Sequence, residues 1–144
     1  MLLSLREDVY KRVLSGEKIY EHRKVFPDEP VKAYIYVSSP MKSICGIMYL
    51  SNKTSLMDWK EMYKDDPECI KRIDEYLPQH KFGMEINRFE NTNAISLDKL
   101  RKDLTKFIVP QMYYFIENSE LLNYLETNLR PDGIVVTHTY QNVT

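Results

Sequence analysis

The chain has 144 residues, 43% apolar and 28% charged, which is the balance of an ordinary globular chain of single-domain size. Its net charge of −1 excludes a long-range electrostatic field that would attract nucleic acid, so any basic site must be local. Cys45 and Cys69 stand apart from any metal-binding or redox motif and exclude a disulfide scaffold. No apolar run is long enough for a signal peptide or a bilayer span, so we expect a cytoplasmic protein without membrane association.

The first elements are a short apolar strand and an amphipathic helix. Residues 2–5 predict the strand, and residues 5–15 predict the helix from apolar side chains at helical spacing. Ser4 followed by Glu7 fits a capping box at the start of this helix. Gly16 stands where a helix ends in the left-handed conformation.

Three strands are predicted next. Residues 18–24 alternate, so that one face carries Lys18, Tyr20 and His22 and the other carries Ile19, Glu21 and Arg23. Residues 31–37 alternate as in a half-buried strand. Residues 44–50 are apolar on both faces, and Gly46 predicts a bulge or a close backbone approach.

The rest of the chain mixes helices and strands without βαβ units. The predicted elements are helices within 55–77, a strand at 81–96, a short basic helix or extended arm at 97–106, an aromatic strand at 111–116, a helix at 119–129 and a strand at 134–139. The last few residues are expected to be loosely held. This order predicts an α+β fold, a small, curved and mostly antiparallel sheet or barrel with helices at its ends.

One segment concentrates the residue types that recognise anions. A helix ends at Gly16, and the chain enters a strand that carries Lys18, Glu21 and Arg23 within six residues. Two cations and a carboxylate near a turn can hold a phosphate or the edge of a base. The structural alternative is a strand of ion pairs without a ligand. We expect the three side chains to lie within one cleft, and a bend, a bulge or a barrel mouth must then bring them together, because positions 18 and 23 lie on opposite faces of a regular strand.

This segment carries a resemblance to a known family. The stretch VLSGEKIYEHRK at residues 13–24 resembles the signature of the ASCH domain, a family of PUA-like β-barrels. The family pattern Gly-x-Lys-x-x-Glu-x-Arg falls without a gap on Gly16, Lys18, Glu21 and Arg23. Residues 34–40 with 44–48 resemble the family's second strand pair, and residues 110–114 resemble its Pro-Gln element.

The resemblance implies a fold and the limits of a domain. It covers residues 2–50 and 107–116, and it implies a PUA-like barrel with flanking helices. We expect one ASCH-type domain over 1–144, with a core at 2–116 and a helix-and-strand extension at 117–144. Residues 52–106 match the family only in general character.

The resemblance also implies a function. The family's cleft suits RNA or a nucleotide-like small molecule, so an RNA- or nucleotide-binding module is the expected function. A hydrolase of RNA or of a modified nucleoside is the first alternative, with Lys18 and Glu21 as the catalytic pair. A protein-interaction module is the second alternative, and in it the Lys/Glu/Arg strand is an ion-pair support.

The hydrolase alternative has a specific difficulty. Acetylcytidine amidohydrolases, which some members resemble, use a lysine and a threonine of this strand and a glutamate elsewhere. The lysine falls on Lys18, but Glu21 stands at the threonine position, and a carboxylate replaces a hydroxyl nucleophile poorly. Glu61, Glu68 and Glu75 are open choices for the third residue.

Other residues could line the cleft. Ser38 and Ser39, before Pro40, could donate hydrogen bonds at its rim or only form a turn. Gln111 could read a base edge or only satisfy the backbone, and Tyr113 could stack on a base or point into the core.

Further ligands have little support in the sequence. Trp59 is expected to anchor the core. The three histidines have no metal-ligand spacing, and no glycine-rich phosphate loop is present, so neither a metal nor a cofactor is expected.

Overall fold

Seven strands in one mixed sheet and five helices make up residues 1–140, the part of the chain that the computed structural model describes. The predicted loose end at residues 141–144 lies outside the described residues. The elements are β1 (Leu2–Leu5), α1 (Glu7–Leu14), β2 (Tyr20–Arg23), β3 (Val31–Val37), β4 (Ser43–Ser55), α2 (Leu56–Met62), α3 (Pro67–Tyr76), β5 (Phe82–Ser96), α4 (Leu97–Asp103), β6 (Tyr113–Tyr114), α5 (Glu120–Asn128) and β7 (Pro131–Thr137). None of these helices is both long and apolar enough to cross a bilayer.

The sheet has the order β2-β5-β4-β3-β1-β6, and β7 also pairs with β5. Only β1 and β3 run parallel among the pairs of residues 1–140, and the other pairs are antiparallel. β5 has 15 residues, so β2 pairs with its first part while β7 pairs with its second part. The sheet curls into a half-barrel. The expected α+β class and curved, mostly antiparallel sheet are therefore confirmed.

The side chains of β3 divide between two apolar clusters on the two faces of the sheet. Ala33 and Ile35 join the cluster that contains α1, whereas Tyr34 and Tyr36 join the cluster that contains α4 and α5. The prediction of a half-buried β3 is wrong, because Tyr34 and Tyr36 are only 4% and 2% exposed. The alternation itself is present, but the later helices cover the face that the sequence assigned to solvent.

Glycine marks two sharp features. Gly16 has a φ of +83°, which confirms the left-handed end of α1. At Gly46 the register between β4 and β5 shifts, and a Cβ there would lie 2.5 Å from the ring of Phe89. The predicted bulge or close approach at Gly46 is thus confirmed, and both forms occur together.

Two local predictions are wrong. The capping box fails because Ser4 stays in β1 and Arg6 precedes α1, without a side-chain cap. The predicted aromatic strand shortens to Tyr113–Tyr114, because β1 offers it only Leu2 and Leu3 as pairing partners.

Candidate functional site

The turn after α1 places Lys18 beside the last turn of that helix. The left-handed Gly16 reverses the chain, and the N–H of Lys18 donates to the carbonyl of Arg12 at 3.0 Å. Arg12 and Lys18, two cationic residues six positions apart in the sequence, are therefore neighbours in the structure. The local sequence suffices for this contact, since only a helix, a glycine stop and a short turn are needed.

The carboxyl-terminal segment also holds this turn. The hydroxyl of Tyr140 lies within hydrogen-bonding distance of the carbonyl oxygens of Ile19 and Ile86, the latter at 2.8 Å, so its one proton is shared between the start of β2 and β5. Its ring lies 5.4 Å from the ring of Tyr20. The extension beyond residue 116 consequently contacts the backbone next to Lys18.

Strand β2 sorts its side chains onto two faces. It pairs with β5 from Tyr20 opposite Glu85 to Arg23 opposite Phe82, without a register shift. Tyr20 and His22 face the helices α2 and α3, whereas Glu21 is buried at 5% exposure on the other face. The predicted division of the strand into two faces is confirmed at these positions.

Glu21 and Arg23 form a buried ion pair on that second face. Their side chains are 6% and 13% exposed, and Arg23 Nε lies 3.2 Å from Glu21 Oε1. Arg23 Nη2 donates to the carbonyl of Ser4 at 2.9 Å and so links β2 to the end of β1. Neither Arg23 Nε nor Glu21 Oε2 has a well-directed hydrogen bond to another group of residues 1–140, so the contact is chiefly one of charge.

A cavity of about 410 Å³ lies on the first face, between β2 and the pair of helices α2 and α3. This volume falls within the range of about 300–1,000 Å³ that is typical of small-ligand sites. Its walls combine cationic and aromatic side chains. They are Arg12, Glu17, Lys18, Ile19, Tyr20, His22, Leu56, Trp59, Tyr63, Cys69, Arg72, Ile73 and Tyr76.

Helical spacing explains how two short helices supply much of the wall. Trp59 lies on α2 and Tyr63 follows its last residue, one turn further on, and Arg72 and Tyr76 are one turn apart on α3. Each pair therefore points to the same side. The ring of Trp59 lies against Gly83, where a Cβ would approach it to 2.6 Å. Gly83 thus leaves room for the indole at the base of the cavity.

The aromatic rings of the wall touch one another. The Tyr20 and Trp59 rings meet edge to face, with 4.9 Å between their centroids. His22 stacks on Tyr76 with 3.9 Å between centroids and 16° between planes. Lys18 Nζ lies 6.0 Å from the centre of the Tyr76 ring. These contacts hold flat surfaces in fixed orientations, as base stacking requires.

Burial sets the protonation of the polar wall. Burial lowers the pKa of Lys18, an effect that the charge of Glu21 opposes and that of Arg12 strengthens. Burial and the nearby charge of Lys18 also lower the pKa of His22 to about 3, so the imidazole is neutral near pH 7. Burial raises the pKa of Cys69, which keeps its thiol protonated. The charged groups of the wall are therefore Arg12, Glu17, Lys18 and Arg72.

The structure distributes the predicted motif over two surfaces. Lys18 lines the cavity, whereas Glu21 and Arg23 lie on the opposite face of β2 and are not among its lining residues. Electrostatic coupling persists, because the charges of Glu21 and Arg23 both act on the pKa of Lys18. The pairing of β2 with β5 is regular from Tyr20 to Arg23, without a register shift that would turn Arg23 to the face of Tyr20 and His22.

The other predicted cleft residues lie near the end of β1, outside the cavity wall. The backbone N–H of Ser38 donates to Leu5 O, and the exposed Ser39 follows it. Gln111 is exposed, and Tyr113 packs its ring on Phe26 at 5.5 Å. Arg23 also reaches this end of β1, where it contacts Ser4. The contacts of Tyr113 are those of a core residue.

The alternatives for a third catalytic residue lie on α2 and α3. Glu61, Glu68 and Glu75 are all exposed, and none of them lines the cavity. Glu61 pairs with Lys64 at 3.5 Å. Within residues 1–140, no group of three or more His, Cys, Asp or Glu side chains converges as a metal site would require.

Sequence reasoning missed most of the cavity wall. Trp59 was expected in the core, yet it is only partly buried and lines the cavity. Tyr63, Arg72 and Tyr76 were not proposed, because they lie in the segment that resembles the family only weakly. The sequence did contain a signal for this wall. Trp59 and Tyr63 are one helical turn apart, as are Arg72 and Tyr76, and this spacing predicts that the members of each pair lie on the same face of a helix.

Comparisons with known proteins identify the fold. No family model matches the chain, and no curated protein is similar to it in sequence. The crystal structure of the ASCH protein from Zymomonas mobilis superposes with a TM-score of 0.64 and 21% identity, covering 90% of this chain and 95% of that one. This likeness confirms the expected ASCH-type fold.

Two mutants of the Zymomonas mobilis protein give the same result. A serine-to-alanine mutant has a TM-score of 0.64 and 21% identity, with 88% of this chain and 94% of that chain covered. A tyrosine-to-phenylalanine mutant has a TM-score of 0.63 and 20% identity, with 90% and 97% covered. The likeness thus extends over about nine tenths of this chain.

Proposed function

We propose that this chain is an ASCH-type module that binds RNA or a nucleotide-like ligand in the cavity beside Lys18. The observation that carries the proposal is the meeting of cations and flat rings in one cavity. Lys18, Arg12 and Arg72 can contact phosphate, and Trp59 and Tyr63 can contact a base. The Gly-x-Lys-x-x-Glu-x-Arg pattern supports the proposal from the sequence side.

In this proposal the motif residues have different tasks. Lys18 contacts the ligand, and the buried Glu21 and Arg23 support the strand from behind and moderate the charge of Lys18. Ser38 and Gln111 form a separate rim at the end of β1, which a longer RNA could reach. The near-neutral net charge favours a small ligand over a long RNA.

Trp59 provides a direct assay, since it is the only tryptophan of the chain and lines the cavity. Titration with nucleotides and short RNA should change its fluorescence. Arg72→Gln should weaken binding roughly tenfold, the usual effect of losing a hydrogen bond to a charged group. Lys71→Gln is the matched control, because Lys71 is the exposed neighbour on α3 and does not line the cavity.

Salt dependence tests the size of the contact. Two or three phosphate contacts predict a slope of log affinity against log salt of roughly −1.4 to −2.1 for single strands. A slope steeper than about −5 would require an extended basic track and would contradict a local cavity. If no nucleotide or RNA alters the fluorescence or binds by calorimetry, the proposal is wrong and a protein-interaction module becomes the better hypothesis.

One observation favours hydrolysis as a second candidate function. Burial lowers the pKa of Lys18, and the charge of Glu21 acts on it; a lowered pKa is what a lysine needs to serve as a general base. Incubation of the protein with RNA and with acetylcytidine tests this candidate. A positioned base contributes roughly 10²–10⁴-fold, so turnover that persists in Lys18→Ala would exclude this role. We expect little acetylcytidine hydrolysis, because Glu21 replaces the hydroxyl nucleophile.

A further inference from the structure

We infer that the cavity selects a nucleotide with a terminal phosphomonoester, as in a nucleoside monophosphate or a phosphorylated RNA end, over an internal phosphodiester. This inference rests on the proposed function and specifies its ligand class. It follows from the charge, the shape and the ion pairing of the cavity wall.

The charge of the wall matches a doubly charged anion. Arg12, Lys18 and Arg72 oppose a single carboxylate, Glu17, so the lining residues carry a net formal charge of +2. His22 adds no charge, because its imidazole is neutral near pH 7. A phosphomonoester carries about −1.5 to −2 charges at pH 7, whereas each phosphodiester of an RNA chain carries one. One monoester group therefore neutralises the wall, whereas one diester group leaves about one positive charge unbalanced.

Within residues 1–140, Glu17 is the one carboxylate of the wall that can pair with its three cations. Arg12 Nε lies 3.6 Å from Glu17 Oε1, but the two side chains are 47% and 67% exposed, so this pair is weak. Arg12 lowers the pKa of the more buried Lys18 through repulsion between like charges. A dianion between them would relieve this repulsion and hold Lys18 in its charged form.

The shape of the cavity fits one nucleotide. Lys18 lies with the stacked His22 and Tyr76, whereas Trp59 packs on Tyr20. A base at the Trp59 side would place its phosphate towards Lys18. Helices α2 and α3 wall the cavity opposite β2, so a single terminal unit enters more readily than the middle of a strand.

The experiment compares ligands that differ only in their phosphate. Trp59 fluorescence is titrated in a phosphate-free buffer with nucleoside monophosphates, their cyclic phosphodiesters, the free nucleosides and dinucleoside phosphates without a terminal phosphate. We expect the monophosphate of the preferred base to bind roughly tenfold or more tightly than its cyclic diester, as one further charge-assisted hydrogen bond would give. Its affinity should fall as the pH drops below about 6, where the phosphate dianion takes up one proton and becomes a monoanion.

Variants locate the preference in the wall. Arg72→Gln should bring the affinities for monophosphate and cyclic diester close together, whereas Lys71→Gln should leave their ratio unchanged. Diesters and dinucleoside phosphates that bind as tightly as monophosphates would overturn the inference and leave the proposed function standing. If none of the compounds binds, the proposed function is wrong, and the inference is wrong with it.

Discussion

Replacement of Glu21 by glutamine tests the buried ion pair behind the cavity. Glutamine keeps the shape of the side chain but removes its charge, so Arg23 would stay buried at 13% exposure without a counter-ion. Breaking a buried pair in this way typically costs about 3–5 kcal/mol. Arg23 keeps its hydrogen bond to Ser4 O, so we expect the lower end, about 3 kcal/mol, and a melting temperature lower by roughly 10 °C.

Urea unfolding and thermal melting measure this loss, and two further variants control it. Glu61→Gln makes the same chemical change in an exposed pair with Lys64, where the expected loss is below about 1 kcal/mol. The double variant Glu21→Gln/Arg23→Gln should be more stable than the sum of the two single losses predicts, because neither charge is then left alone.

Ligand affinity separates support from contact. Glu21 faces away from the cavity. The free energy of nucleotide binding by the folded Glu21→Gln variant should therefore differ from that of the unchanged protein by no more than about 1 kcal/mol, the contribution of one hydrogen bond. A Glu21→Gln variant as stable as Glu61→Gln would refute the argument from the buried ion pair. A large loss of affinity at unchanged stability would mean that Glu21 contacts the ligand.

Two further predictions concern pH and the carboxyl-terminal segment. Because the pKa of His22 falls from 6.5 to about 3 on folding, the unfolded chain binds the extra proton between these values, and stability declines as the pH drops through that window. The free energy of unfolding should change more steeply with pH in the unchanged protein than in His22→Phe, by at most about 1.4 kcal/mol per pH unit. Urea unfolding at several pH values measures both slopes, and equal slopes would contradict the prediction. Tyr140→Phe removes a donor to Ile19 O and Ile86 O, so stability should fall by about 1 kcal/mol and amide exchange near Lys18 should accelerate. Unchanged amide exchange near Lys18 would show that the Tyr140 hydroxyl does not stabilise the turn before β2.

Local patterns allowed several features of the fold and the site to be predicted from the sequence. The positive φ of Gly16 follows from the helix before it, and the alternation of β2 separates His22 from Glu21 without any knowledge of their partners. The likeness to the Gly-x-Lys-x-x-Glu-x-Arg pattern also selected Lys18, which lines the cavity. These features depend on residues a few positions apart.

Contacts between distant segments decided the rest. The sequence could not tell that α2 and α3 would cover the His22 face of β2, which turns Trp59 and Arg72 into cavity residues. It also assigned Tyr34 to a partly exposed face, although later helices bury it. A strand's sequence separates its two faces, but which face meets solvent, core or cavity depends on elements more than 30 residues away that compete for the same apolar surface.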